Sequence, residues 1–172
     1  MKRFALAFAA VMSLPLSAIA GPQYIDQTGF AVSGYDVVAY RSLAQSPVGE
    51  TQPAAIPGRA DITADYNGAT FAFASEANRD TFLSDPARYA PQYDGHCAYG
   101  VSKGGKVPGN PNLWRIKDDK LYLNITKNVV GFWEEDIPGN IDLAQSNWPE
   151  IEAQEASENP IPNFESPAPE GH

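Results

Sequence analysis

Thiols are almost absent from this chain: Cys97 is the single cysteine among 172 residues. An intramolecular disulfide is therefore excluded, and so is a closed metal site built from several thiolates. Histidine is nearly as scarce, with His96 next to the cysteine and His172 at the very end. Both methionines, Met1 and Met12, fall in the N-terminal segment, so soft metal donors elsewhere reduce to Cys97, His96 and His172. Positive charge is also short. The 12 Lys and Arg face 21 Asp and Glu, and loss of Lys2 and Arg3 with a leader would leave 10 basic residues against the same 21 acidic ones. Nucleic acid is a poor partner for such a surface, because binding its backbone depends on Lys and Arg neutralising phosphates. The longest apolar run, from Phe4 to about Leu16, is shorter than the roughly 20 residues of a membrane-spanning helix.

That run has another use. It follows Lys2-Arg3 and leads into the small-residue ending Ala18-Ile19-Ala20, the pattern of a secretory signal cleaved before Gly21. Residues 1–20 are thus expected to be a leader, and the rest an exported, periplasmic or secreted protein with no membrane span. At the other end, residues 150–172 carry six glutamates, several prolines and no Lys or Arg. Such a composition buries too little apolar surface to fold, so a disordered acidic, Pro-rich tail is expected there. One domain, residues 21–149, lies between.

Within it, Ile62 to Ala74 reads as a β-hairpin. Apolar and polar residues alternate on both sides of Asn67-Gly68, the pair suited to a type I′ turn. Ser75 is placed to cap a helix through Leu83, with Phe82 and Leu83 facing the core, and Asp85-Pro86 restarts a helical turn toward Tyr89. A second hairpin spans Leu113 to Leu123 with its turn at Asp118-Asp119. Its alternation puts Trp114, Ile116, Leu121 and Leu123 on a buried face and Arg115, Lys117 and Lys120 in water. A helix capped by Asn124 or Thr126 follows, with Val129, Val130 and Trp133 as core contacts and Pro138-Gly139 as its end. A last helix from Ile141 to Trp148 stops at Pro149. The Pro- and Gly-rich stretch 44–60 reads as a surface loop, and the fold class as a small α+β domain of short antiparallel hairpins and packed helices.

The chemistry-bearing residues are few. Cys97 lies between Gly95 and Gly100, and His96 is its immediate neighbour. Adjacent side chains of an extended segment point to opposite faces, which argues against a Cys-His nucleophile-base pair and hence against a cysteine hydrolase. A backbone bent at the flanking glycines can aim thiolate and imidazole at one ion, with Asp36 or Asp94 adding oxygen. The metal reading therefore takes Cys97, His96 and Asp36 as ligands of copper or zinc. Its competitor is a buried structural cysteine. Tyr35, Tyr40, Tyr89, Tyr93 and Tyr99 read as core residues rather than a pocket lining, and Glu134-Glu135-Asp136 as a solvated face.

Tyr66-Asn67-Gly68, then Phe73-Ala74-Ser75 through Phe82, then Asp85-Pro86-Ala87-Arg88-Tyr89 resemble the YHS domain. Gly34 to Tyr40, the Gly95–Gly100 loop, Asp136 to Ile141 and Asn147-Trp148-Pro149 are similar to exported bacterial proteins with such a domain. The resemblance implies a transition-metal role, with copper foremost. It also implies cysteines at the positions of Ala74 and Asn78, where this chain has no thiolate donor. Two functions follow: a non-catalytic metal-binding module, or a protein-interaction or small-ligand module in which Cys97 is structural or redox-sensitive.

Overall fold

A computed structural model describes residues 21–166, so the expected leader and the last six residues lie outside the described residues. Two antiparallel hairpins form the frame: β1 (Arg59–Tyr66) with β2 (Ala69–Phe73), and β3 (Asn110–Lys117) with β4 (Lys120–Asn124). Asn67 and Gly68 join the first pair with φ of 49° and 76°, the positive values that a tight hairpin turn needs. Asp118 and Asp119 do the same for the second, with φ of 50° and 59°. Helix α1 (Glu76–Ser84) starts where the Ser75 side chain accepts the Asn78 amide, and α2 (Pro86–Tyr89) follows with proline in its first turn. After a short α3 (Ala98–Ser102) and the second hairpin, α4 (Lys127–Glu134) is capped by Thr126. The last helix is α5 (Ile137–Ile151).

Two apolar clusters hold these parts together. Phe82 of α1 lies fully buried against Phe71 and Phe73 of β2, with ring centroids 5.0 and 5.1 Å apart, and Trp114, Leu121 and Leu123 extend this core. In the other, Val101 of α3, Tyr122 of β4, Trp133 of α4 and Ala144 of α5 pack together. The segment from Pro91 to Cys97 joins the two, pairing with β4 through bridges to Leu121 and Leu123. Tyr35, Tyr40 and Tyr93 are buried as core residues, while Tyr89 and Tyr99 are half-buried.

Several expectations change. Leu83 is 53% exposed, because α1 presents only Phe82 squarely to the hairpin. Arg115 and Glu134 are not in water: their side chains are 7% and 6% exposed and joined as an ion pair. Alternation misplaced Arg115 because it assumes one wet face on the hairpin, whereas α4 and the 46–49 loop cover that residue here; Glu134, read as part of a solvated helix face, is the α4 residue turned onto it. Arg115 Nε donates to Glu134 Oε1 at 2.9 Å, its guanidinium also reaches the Ser46 and Pro47 carbonyls, and Glu134 Oε2 accepts the Gly49 amide at 2.8 Å. The supposed surface loop is thereby tied down.

Pro138 opens α5 rather than ending the helix before it. Asp136 caps that start by accepting the Gly139 amide at 3.0 Å, and a proline in the first turn sacrifices no intrahelical bond. Pro149 sits inside α5, which runs on to Ile151. Beyond it, residues 153–166 contain no helix or strand, yet they lie against the body rather than free in solvent. The Tyr24 hydroxyl donates to the Asn159 carbonyl, Ile161 is 6% exposed, Phe164 packs on Tyr35, and Ser166 Oγ donates to the Ser33 carbonyl. Two apolar residues in an otherwise polar segment are enough to anchor it.

Candidate functional site

Cys97 ends an extended stretch and becomes the N-cap of α3. Its amide donates to the Val107 carbonyl at 2.9 Å, and its Sγ accepts the Gly100 amide at 3.3 Å. The thiol faces Asn124 Oδ1 at 3.4 Å, an oxygen that also accepts the Tyr99 amide at 3.1 Å. Gly100 is required there, since a Cβ at that position would meet Val107 Cγ2 at 2.7 Å. Cys97 is completely buried, and burial pushes its thiol pKa up despite the amide contacts. It is therefore a neutral, enclosed thiol at neutral pH rather than a nucleophile.

His96 points elsewhere. Its Nδ1 lies 2.9 Å from the Tyr93 carbonyl, which fixes the proton on that nitrogen, while Nε2 accepts the Ser157 amide at 3.2 Å. Tyr24 meets the ring edge-on with centroids 5.9 Å apart. Both ring nitrogens are thus occupied, and burial drives the pKa down to about 4. The imidazole is neutral, as a metal would require, but it has no lone pair to offer without releasing Ser157.

Asp36 forms a third, separate network. Oδ1 accepts the Val38 and Ala39 amides at 2.9 and 3.1 Å, and Oδ2 accepts the Ala74 amide at 2.8 Å and Asn78 Nδ2 at 2.6 Å. The carboxylate is fully buried with four donors around it. It ties the Gly34–Tyr40 segment to the start of α1, at the two positions where the resemblance implies cysteines. Asn78 therefore spends its side chain on a carboxylate.

The structure brings the three sequence-predicted ligands into one domain but not to one point. Among the described residues, no group of three or more His, Cys, Asp or Glu could hold a metal ion. The donor set does not fit a transition metal as folded: the thiol is protonated, the imidazole is bonded at both nitrogens, and the carboxylate is saturated. Asp94, the other oxygen candidate, is also buried, with Oδ1 accepting from Gln23 Nε2 at 2.6 Å and Oδ2 unpartnered. Asn124 and Asn78 organise these networks; the sequence marked Asn124 only as a helix-cap candidate and Asn78 only as a position without the implied cysteine, and neither as a partner of Cys97 or Asp36. A cleft of about 210 Å³ beside Trp114, lined also by Gln52, Lys127, Val130 and Glu134, lies apart from all of them.

No helix among the described residues is long and apolar enough to cross a membrane. Comparisons with curated proteins and with solved structures return no match. The sequence profile of the YHS domain matches residues 46–93, a span that contains the first hairpin, α1 and α2, and contains Ala74 and Asn78, but stops short of His96 and Cys97 and begins after Asp36. Residues 46–93 thus carry the match to the YHS domain.

Proposed function

We propose that this protein is an exported, non-catalytic YHS-type binding module in which Asp36, His96 and Cys97 are structural rather than metal ligands. The observation that carries this reading is the closed hydrogen bonding of all three side chains, above all the Asp36 carboxylate seated on the Ala74 amide and Asn78. An internal carboxylate does there what a bound ion would otherwise do, holding the Gly34–Tyr40 segment to α1. The family match supports a second reading, in which the module takes up copper or zinc after the Cys97 loop opens.

Titration of the exported protein and its Cys97→Ala variant with copper and with zinc, read by native mass spectrometry, separates the two. No Cys97-dependent uptake is expected, together with alkylation of Cys97 that is slow in the native protein and fast after unfolding. One equivalent of metal bound by the natural sequence and lost in Cys97→Ala would establish the metal reading instead.

A further inference from the structure

The start of the described chain meets a buried carboxylate that lacks a partner. Asp94 is 9% exposed; its carbonyl accepts the Tyr24 amide at 2.8 Å and its Oδ1 accepts from Gln23 Nε2 at 2.6 Å. Oδ2, also buried, has no hydrogen bond. An ionised oxygen left that way lacks the compensation that burial of a charge calls for. Gly21 stands beside it. A Cβ built on Gly21 would lie 2.9 Å from Asp94 Oδ2 and 2.0 Å from the Glu152 carbonyl oxygen. Since a Cβ sits about 2.5 Å from the nitrogen of its own residue, the Gly21 nitrogen is within about 5.4 Å of Oδ2. Two acceptors therefore flank the residue at which the sequence places the end of a leader, and the backbone contact leaves no room for a side chain.

We infer that the Ala20–Gly21 peptide bond is a processing site, and that the α-ammonium of Gly21 released there pairs with Asp94 Oδ2, with the Glu152 carbonyl as a second acceptor. The inference rests on the reading of residues 1–20 as a leader, with a leader peptidase as catalyst. Hydrolysis consumes one water: its hydroxyl joins the Ala20 carbonyl carbon as the C–N bond breaks, and its other hydrogen goes to the Gly21 nitrogen. The new Ala20 carboxylic acid then gives up its proton, and the Gly21 amine takes one up. A neutral amide with one N–H becomes a cation with three.

Among the described residues Lys106 also acts on Asp94 through its charge, but its Nζ donates to the carbonyls of Glu152 and Gln154 at 2.9 and 2.6 Å rather than to Oδ2. Burial, reinforced by the charge of Glu152, pushes the Asp94 carboxyl up to about 6 in the unprocessed chain. An ammonium alongside reverses that, because it favours the charged carboxylate.

The test is made on the full chain expressed with its own leader in an export-competent host. Mass spectrometry identifies the first residue, and NMR titration follows the Gly21 amine and the Asp94 carboxyl in processed and unprocessed protein. The processed chain is expected to begin at Gly21. Its amine should titrate at least one pH unit above the ordinary 7.7–8.0, and Asp94 at least one unit lower than in the unprocessed chain. Asp94→Asn should return the amine to its ordinary value. A first residue other than Gly21 overturns the processing site and the leader boundary together. A Gly21 start with an ordinary amine, or with Asp94 titrating as before, overturns the pairing alone and requires no variant.

Discussion

At the scale of single residues, hydrogen-bond partners decide the roles of the reactive groups. Asp36→Ala leaves the Ala74 and Val38 amides and Asn78 Nδ2 without their acceptor, while the Ala39 amide keeps only the Asp36 carbonyl at 3.2 Å. A loss of about 3–5 kcal/mol is expected in urea denaturation. Cys97→Ala removes a smaller contact set, the Gly100 amide and Asn124, and a cost of about 1–3 kcal/mol is expected by the same measurement. His96 adds a pH dependence. Its pKa in the folded protein is about 4, against about 6.5 in the unfolded chain, so on acidification the unfolded chain takes up the proton first. Its contribution is full above about pH 6.5, declines as the pH falls, and levels off near pH 4, where roughly 3 kcal/mol has been lost. Asp94, raised to about 6, acts in the opposite sense over part of that range. The measurement is therefore the difference between the natural sequence and His96→Gln at pH 7 and pH 4.5, and this difference should shrink on acidification.

Elements were legible where local chemistry sufficed. Asn67-Gly68, Ser75 and Asp85-Pro86 each specify a turn or a cap within a few residues, and the structure has them at those positions. What was not legible depends on which faces are covered by distant chain. Nothing near Arg115 announces that α4 lies over it, and Pro138 by itself does not tell a helix start from a helix end, since proline serves in both places; the local start signal was Asp136, which caps α5. For the candidate ligands, alternation along an extended segment already set His96 and Cys97 on opposite faces; the sequence could not show the distant partners, Ser157 and Asn124, that occupy them. The buried Arg115–Glu134 pair supplies an element-scale test. Either Arg115→Met or Glu134→Leu alone should cost about 3–5 kcal/mol, because a buried charge is left unpaired. The double variant should recover much of that loss, a coupling readable by a double-mutant cycle in denaturant.

For the molecule as a whole, the last described residues complete the shell. Ser157 covers His96, Asn159 receives the Tyr24 hydroxyl, and Phe164 packs on Tyr35, so the segment after α5 seals both the first residues and the histidine. Removal of residues 153–172 should lower the melting temperature and move the His96 titration from about 4 toward 6.5, as followed by its ring resonances. The enclosure of Cys97 carries a consequence for oxidative chemistry. With Met1 and Met12 both in the expected leader, the thiol of Cys97 is the only sulfur in residues 21–172, and it is completely buried. Peroxide and hypochlorite attack protein sulfur before most other groups and need access to it. Residues 21–172 therefore present such oxidants with no reachable sulfur at all.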